Sequence, residues 1–194
     1  MDGGEYDMVN KHKIDEMPGS LSFKERIEQM IRVDQAGEYG AKRIYEGQMA
    51  VLKNDACIDT LKHMADQEAE HLAFFNQQVS KRHIRPTIFQ PIWHVAGFAL
   101  GAGTALMGKK AAMACTVAIE ETIDEHYQEQ LQELEQIPDA DPELAKKIEQ
   151  FRQEELEHRD IGLEHDAEKT PGYDFLYQAV RAGSKLAIWL SKRF

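Results

Sequence analysis

Two short segments of the chain carry the same pair of metal-binding side chains. "DQEAEHL" (66–72) contains Glu68 and His71, and "EELEHRD" (154–160) contains Glu155 and His158. Side chains three positions apart on a helix lie one turn apart on nearly the same face, so a Glu-x-x-His pair can direct both groups to one ion. One such pair is weak evidence, because Glu and His are common on helix surfaces. The repetition predicts that each pair supplies half of a dinuclear metal site.

The elements that must position these pairs are helices. Four long windows show apolar residues with a period of about 3.6, and strand signals are almost absent. Ser22 and Glu25 have the spacing of a capping box at the start of the first window, and the second window begins near residues 54–55. The third window runs over about 109–134, and "IPDADPEL" separates it from the fourth.

Acidic and imidazole side chains interrupt the apolar stripe of each helix. Burying unpaired carboxylates is costly, and no Lys or Arg lies on these stripes to neutralise them, so a metal cation is the remaining partner. Glu70 and Glu157 are rotated by about 100° from the histidines, and we expect them to be solvated. The alternative is that both Glu-His pairs lie on solvated faces of acidic helices. It is disfavoured because the pairs fall on the apolar stripe, which faces the core. The inward residues are Glu38, Glu68, His71, Glu120, Glu155 and His158.

This set of side chains predicts the fold. One Glu from each of two helices and Glu-x-x-His from each of two others is the pattern of ferritin-like di-iron and di-manganese proteins. Carboxylate and imidazole ligands suit iron or manganese. We therefore predict an all-α, ferritin-like four-helix bundle with additional apolar and amphipathic helices. Residues 20–194 are expected to form one di-iron domain after a flexible segment, 1–19.

Composition narrows the partners and the compartment. The net charge of −11 disfavours nucleic acid. Cys57 and Cys115 form no CxxC motif and have apolar neighbours, so we expect buried, reduced thiols. No signal peptide or Arg-rich transit sequence is visible, which indicates either a bacterial cytoplasmic origin or a presequence that has been removed.

Two segments predict contact with a membrane or with another protein surface. Residues 86–108 contain no Asp, Glu, Lys or Arg, but two prolines, a His, a Gln and four glycines disfavour a spanning helix. The amphipathic segment 173–194 carries Trp189, Lys192 and Arg193 near its end. Covering the bundle or forming a dimer interface is an equal alternative for both. We interpret "GFALGAG" as tight helix packing, because no strand precedes it as a dinucleotide loop requires.

Four longer segments resemble one enzyme family. "RVDQAGEYGA" (32–41), "DQEAEH" (66–71), "GFALGAGTALMGKKAAMACTVAIEE" (97–121) and "EELEHRDIGLEHDAE" (154–168) are similar to the demethoxyubiquinone hydroxylase family. The resemblance covers about residues 22–194, and the family's metal ligands fall on the six residues named above. The chain departs from eukaryotic members at its N-terminus, which lacks their mitochondrial presequence.

The resemblance implies a di-iron monooxygenase of ubiquinone biosynthesis. Such an enzyme hydroxylates the ring of a polyprenylated demethoxyubiquinol (3-demethoxyubiquinol 3-hydroxylase type) with O2, two iron ions per chain, and NADH or another external reductant. The resemblance also implies a lipid-binding partner protein from the same pathway, and a homo-oligomer is compatible with it. The expected location is peripheral, on the cytoplasmic face of a bacterial inner membrane or the matrix face of the mitochondrial inner membrane.

Four further residues are candidates for positioning the ligands. Metal-bound histidines donate their second nitrogen to an acceptor, and Glu154 could reach the histidine of the opposite helix. Asp34 lies one turn before Glu38 on the first helix. His126 and Tyr127 lie one to two turns after Glu120 on the third helix. Ordinary hydrogen-bonded core or surface roles are the alternative.

Two alternative functions would use the same metal site. A ferritin-like oxidase or peroxidase would change the reaction, although a peroxidase with an attached rubredoxin would need CxxC pairs that this sequence lacks. A membrane-bound helical adaptor with a structural metal would not be an enzyme. The adaptor predicts that losing His158 unfolds the protein, whereas the hydroxylase predicts a folded protein without turnover.

Overall fold

Six α-helices make up most of the part of the chain that the structure describes. The structure, a computed structural model, describes residues 20–137 and 141–194, so the predicted flexible segment, 1–19, lies outside the described residues. No strand occurs in the described part, and the all-α, ferritin-like prediction is confirmed. The helices are α1 (Phe23–Val51), α2 (Ile58–Arg82), α3 (Gln90–Leu106), α4 (Lys109–Leu134), α5 (Pro142–Glu164) and α6 (Tyr173–Arg193), with a 3-10 turn at Ala167–Lys169.

Side-chain caps fix the starts of α1 and α5. The Ser22 hydroxyl accepts a hydrogen bond from the Glu25 backbone N–H at 3.3 Å, and the Glu25 carboxylate accepts one from the Ser22 backbone N–H at 2.8 Å. This is the predicted capping box. At α5, the Asp141 carboxylate accepts two backbone N–H groups of the first turn, and Pro142 follows it at the first helical position.

The start of α2 differs from the prediction. The helix begins at Ile58 and not near residues 54–55. The Asp55 carboxylate accepts a hydrogen bond from the Cys57 backbone N–H at 3.0 Å, which closes a turn ahead of the helix. An Asp side chain serves turns and helix N-termini equally well, so the residue type alone misplaced this boundary.

The bundle of α1, α2, α4 and α5 has two apolar clusters, one toward each end. One cluster lies around the C-terminal half of α1 and includes Tyr45, Leu61, Met64, Met113 and Val117. The other lies around the N-terminal half of α1 and includes Ile31, Phe75, Tyr127, Leu144 and Phe151. The six predicted ligands fall between these clusters on every helix, so a polar layer is enclosed at both ends by apolar packing.

Helix α3 packs closely against α1 because glycines line the contact. A Cβ atom added at Gly101 would lie 2.0 Å from the Ile44 carbonyl oxygen, and one at Gly97 would lie 2.9 Å from the Gly40 carbonyl oxygen. Gly47 of α1 is equally close to the α3 backbone. Tight helix packing is therefore confirmed for the "GFALGAG" segment.

Two further observations concern the expectations from composition. Cys57 and Cys115 are buried and unpaired, as predicted. Among the residues that the structure describes, no helix has the length and apolar character needed to cross a membrane.

Helix α6 is attached to the rest of the protein near its middle and at its C-terminus. Arg181 contacts Glu121 at 3.3 Å and also pairs with Glu125, both on α4. At the C-terminus, the Phe194 carbonyl accepts hydrogen bonds from the Ile88 backbone N–H at 2.9 Å and the Thr87 hydroxyl at 3.0 Å. Between these attachments α6 lies over α1 and α4 and buries few side chains.

The glycine contact between α1 and α3 can be tested with two matched substitutions. Gly101→Ala should lower the free energy of unfolding by about 1–3 kcal/mol, because backbone atoms of α1 cannot rotate away from the added methyl group. Gly103→Ala, on the same helix with nothing within 4 Å of its added Cβ, should be neutral or stabilising. Urea unfolding measures both, and equal effects would contradict the packing argument.

Candidate metal centre

The four bundle helices bring all six predicted ligands into one buried layer. α1 supplies Glu38, α4 supplies Glu120, and α2 and α5 each supply one Glu-x-x-His pair. Each of the six residues is at most 1% exposed. They lie inside because they continue the apolar stripe of their helices, as the helical phase predicted. Glu70 and Glu157 are exposed, also as predicted.

The ligand atoms form two overlapping groups of four. One group contains Glu38 and His71, the other contains Glu120 and His158, and both contain Glu68 and Glu155. Within each group the ligand atoms lie within 4.8 Å of one another. Two carboxylates common to two groups are the arrangement that can hold two neighbouring ions, each with its own Glu and His.

Several polar atoms of this layer face only one another, as His71 Nδ1 faces a Glu155 oxygen at 3.0 Å, and complete no hydrogen bond. They include both carboxylate oxygens of Glu68 and of Glu155 and the Nδ1 atoms of His71 and His158. One carboxylate oxygen of Glu38 and one of Glu120 also make no hydrogen bond. Buried polar atoms without partners are rare in folded proteins and costly. Their convergence fits a divalent cation, for which carboxylate and imidazole are ordinary ligands.

The outer nitrogen of each imidazole has an acceptor on the opposite helix. His71 Nε2 lies 2.6 Å from a Glu154 carboxylate oxygen, and His158 Nε2 lies 3.0 Å from the Gln67 carbonyl oxygen. Burial raises the pKa of Glu154, but contacts with Gln150 and His71 lower it below its usual value overall. Both acceptors therefore hold each ring with Nδ1 facing the carboxylates, and a metal ion bound at Nδ1 would keep the remaining proton on Nε2.

Sequence reasoning identified Glu154 but missed Gln67. The signal was present, because Gln67 immediately precedes Glu68 as Glu154 immediately precedes Glu155. The two contacts cross between helices: α5 orients the histidine of α2, and α2 orients the histidine of α5.

Two buried tyrosines cross in the same way between α1 and α4. The Tyr45 hydroxyl of α1 donates to Glu120 of α4 at 2.7 Å, and the Tyr127 hydroxyl of α4 donates to Glu38 of α1. Each tyrosine lies seven residues after the Glu of its own helix. Tyr127 was a sequence candidate, whereas Tyr45 was not.

The other two candidates, Asp34 and His126, lie together one turn from Glu38. Asp34 accepts a hydrogen bond from the Gln130 side-chain amide at 2.6 Å, and His126 Nε2 lies 3.5 Å from the same carboxylate oxygen. Burial raises the pKa of Asp34, although contacts with His126 and Gln130 oppose the rise. These residues touch each other and not the six ligands in the described contacts.

The α1 and α4 contacts form a repeat with a spacing of 82 residues. Glu38, Tyr45, Gln48 and Asp34 correspond in this way to Glu120, Tyr127, Gln130 and Thr116. Even the polar bridges correspond, since the Gln48 amide lies 3.4 Å from the Thr116 hydroxyl as the Gln130 amide lies near Asp34.

The charge balance of the layer also indicates a cation. Burial raises the pKa of Glu68 and of Glu120 well above the usual carboxyl range, and the nearby Glu155 carboxylate raises both further. Burial also raises the pKa of Glu155, but the imidazoles of His158 and His71 lower it overall. The two imidazoles can offset only part of the charge of the four carboxylates, and a divalent ion would supply the missing positive charge.

An apolar cavity of about 520 Å³ lies beside the layer, between α1, α3, α4 and α6. Its wall includes Gly37 and Ile119, which immediately precede Glu38 and Glu120 in the sequence. Many of the lining residues are small, including Ala36, Gly40, Ala41, Ala96, Gly97, Ala179, Gly183 and Ala187. Sequence neighbours of Glu38 and Glu120 thus line an apolar space, although none of the six ligands is itself part of the wall.

Comparison with known proteins identifies relatives along nearly the whole chain. A family model described as "Ubiquinone biosynthesis protein COQ7" matches residues 25–191. The 3-demethoxyubiquinol 3-hydroxylase of Rhodospirillum rubrum is 54% identical over 182 residues, covering 92% of this chain and 84% of the relative.

Eukaryotic relatives also match most of the chain. The human "NADPH-dependent 3-demethoxyubiquinone 3-hydroxylase, mitochondrial" is 53% identical over 168 residues, which is 86% of this chain and 77% of the relative. The yeast "5-demethoxyubiquinone hydroxylase, mitochondrial" is 39% identical over 181 residues, covering 86% and 78%. These matches confirm the resemblance that the sequence motifs indicated. The chain belongs to the COQ7 family of ubiquinone biosynthesis proteins.

Proposed function

We propose that this protein is a di-iron monooxygenase that hydroxylates the ring of a polyprenylated demethoxyubiquinol in ubiquinone biosynthesis, as a 3-demethoxyubiquinol 3-hydroxylase. The observation that carries the proposal is the pair of overlapping Glu and His groups next to an apolar cavity. The name of the Rhodospirillum rubrum relative, at 54% identity, supports this substrate and reaction.

Six residues would hold the two irons. Glu38 and His71 would bind one ion, Glu120 and His158 the other, and Glu68 and Glu155 would be shared. When bound, two irons would supply electrons for the activation of O2. An external reductant must renew those electrons in each cycle. We propose NADH or another donor, and the human relative's name, which specifies NADPH, supports a nicotinamide source.

The protein's own residues would bind the quinol and orient the ligands. The cavity would take the aromatic ring from the side of Gly37 and Ile119 and would keep water away from it. Hydrogen bonds from Tyr45 and Tyr127 would hold the carboxylates of Glu120 and Glu38 in place. Contacts with Glu154 and Gln67 would orient the two imidazoles. Asp34 and His126 would support the α1 side of the layer.

The cavity volume suggests how a long prenyl tail is accommodated. About 520 Å³ falls within the range of roughly 300–1,000 Å³ that is usual for sites of small organic molecules. This volume suits the ring and the first part of the tail. The rest of a long tail must then leave the cavity, and a bilayer is the environment that accepts it.

Helices α3 and α6 would contact that bilayer. Val95, Leu106 and Phe175 are 66%, 76% and 83% exposed, and Trp189 carries Arg193 over its ring at 4.0 Å near the C-terminus. Apolar side chains beside basic ones are typical of helices that lie in a membrane interface. We propose a peripheral location, on the cytoplasmic face of a bacterial inner membrane or on the matrix face of the mitochondrial inner membrane. A lipid-binding pathway protein or a second copy of the chain would bind the same face.

A turnover experiment tests the reaction. Iron-loaded, reduced protein is given demethoxyubiquinol and ¹⁸O2, and the extracted quinones are analysed by mass spectrometry. We expect one labelled oxygen in the product, and at least a hundredfold less product from Glu155→Ala, because that variant loses a ligand shared by both ions. Circular dichroism checks that the variant is folded.

Other outcomes of this experiment would favour the other functions. Consumption of O2 with unchanged quinone would indicate an oxidase. Metal binding without either reaction, together with unfolding of His158→Ala, would indicate a structural metal in an adaptor.

Metal binding should stabilise the protein and should weaken as the pH falls. At a free metal concentration of a hundred times Kd, the gain in the free energy of unfolding is about 2.7 kcal/mol. The raised pKa values of Glu68 and Glu120 mean that protons compete with the ion, so affinity should fall and proton release on binding should increase as the pH is lowered. Calorimetric titration in two buffers measures both quantities.

Two substitutions on α2 provide the control for this prediction. Glu68→Gln should abolish most of the stabilisation by metal. Glu70→Gln removes an equal charge from the exposed face of the same helix and should leave it unchanged. Equal effects would contradict the assignment of Glu68 as a ligand.

Narrowing the cavity should weaken quinol binding without removing the metals. A Cβ added at Gly37 meets nothing within 4 Å, so Gly37→Leu should project its side chain into the open space that this residue lines. We expect KM to rise at least tenfold with unchanged metal content. Gly37→Ala is the size control and should keep KM within about threefold of the original value. An unchanged KM in Gly37→Leu would place the substrate elsewhere.

A further inference from the structure

The two halves of the metal layer are related by the internal repeat but are not chemically equal. The acceptor for His71 is the carboxylate of Glu154, at 2.6 Å, and the acceptor for His158 is the neutral amide oxygen of Gln67, at 3.0 Å. Gln67 on α2 and Glu154 on α5 occupy equivalent positions, because each lies directly before the Glu of its Glu-x-x-His pair. The two histidines therefore have the same arrangement of contacts, and the two halves differ in the acceptor residue, Glu154 in one and Gln67 in the other.

This difference changes the ligand strength of the imidazole. A carboxylate that accepts the outer N–H of a histidine makes a charge-assisted hydrogen bond and increases the basicity of the nitrogen that faces the metal. An amide oxygen orients the ring equally well but adds no negative charge. The Nδ1 atom of His71 is consequently the stronger donor of the two.

A second difference lies in the same half. Asp34, an acidic residue, lies one turn before Glu38, whereas the corresponding residue one turn before Glu120 is the neutral Thr116. The side-chain bridges to Gln130 and Gln48 show that the two positions are structurally equivalent. The half that contains Glu38 and His71 thus has two nearby acidic side chains, Glu154 in contact with His71 and Asp34 one turn before Glu38, where the other half has the neutral Gln67 and Thr116.

We infer that the two metal positions are unequal: the position formed by Glu38 and His71 binds a divalent ion first, and Glu154 is the positioning residue that sets this order. The inference rests on the proposed dinuclear site and adds to it an order of filling. Changes in such outer contacts of a ligand alter metal affinity by about 10–100-fold, which sets the expected size of the difference.

The experiment is a titration of the metal-free full chain with Co²⁺ under anaerobic conditions. Calorimetry and visible absorption should resolve two binding steps with Kd values at least about tenfold apart. His71→Ala should remove the tighter step, and His158→Ala should remove the weaker one. Circular dichroism of both variants establishes that each is folded.

Exchange of the two acceptors provides the decisive comparison. Glu154→Gln should weaken the tighter step about tenfold or more and bring the two steps together, and Gln67→Glu should strengthen the weaker step. The double exchange, Gln67→Glu with Glu154→Gln, should reverse the order. Glu157→Gln removes a charge from the exposed face of α5 without touching an imidazole and should change neither step.

The outcomes separate this inference from the proposed function. Two equal steps in the unchanged protein, or an order that both exchanges leave intact, would overturn the unequal positions and leave the dinuclear site standing. Failure of the folded protein to bind Co²⁺ at all would overturn the metal site and, with it, the proposed hydroxylase.

Discussion

The burial of four carboxylates and two imidazoles in one layer is the constraint on which the rest of the structure depends. Six ionisable side chains, each at most 1% exposed, have no Lys or Arg among them. Such a layer is unfavourable by itself, because desolvation opposes charge and the carboxylates repel one another. The apolar clusters at both ends of the bundle must outweigh this cost and must also exclude water from the layer.

The layer has two halves, one on α1 and α2 and the other on α4 and α5, and hydrogen bonds between the halves hold it together. Tyr45 and Tyr127 each hold the carboxylate of the other's helix, and Glu154 and Gln67 each hold the histidine of the opposite helix. Because every orienting group belongs to the other half, neither half can form its geometry alone. The repeat within the chain therefore accounts both for the similarity of the two halves and for their dependence on each other.

Helices α3 and α6 connect this buried layer to the surroundings. Glycines let α3 lie against the backbone of α1, and small residues on α1, α3 and α6 leave the apolar cavity open beside the ligands. The outer surfaces of the same two helices carry exposed apolar side chains. In the proposed function, these two helices would form the path of an apolar substrate from a bilayer to the cavity. The acidic residues Glu70 and Glu157 are exposed to solvent.

The sequence by itself determined the helical fold, the inward phase of Glu38, Glu68, His71, Glu120, Glu155 and His158, and the family, because helical period and short-range spacing are local properties of the chain. It misplaced the start of α2, where Asp55 closes a turn, since one side chain can serve either role. Only the tertiary structure decided that Gln67 meets His158, that Tyr45 reaches Glu120, and that an apolar cavity lies between α1, α3, α4 and α6. These features join residues that are tens of positions apart, and their distances follow from the packing of whole helices, which no local pattern specifies.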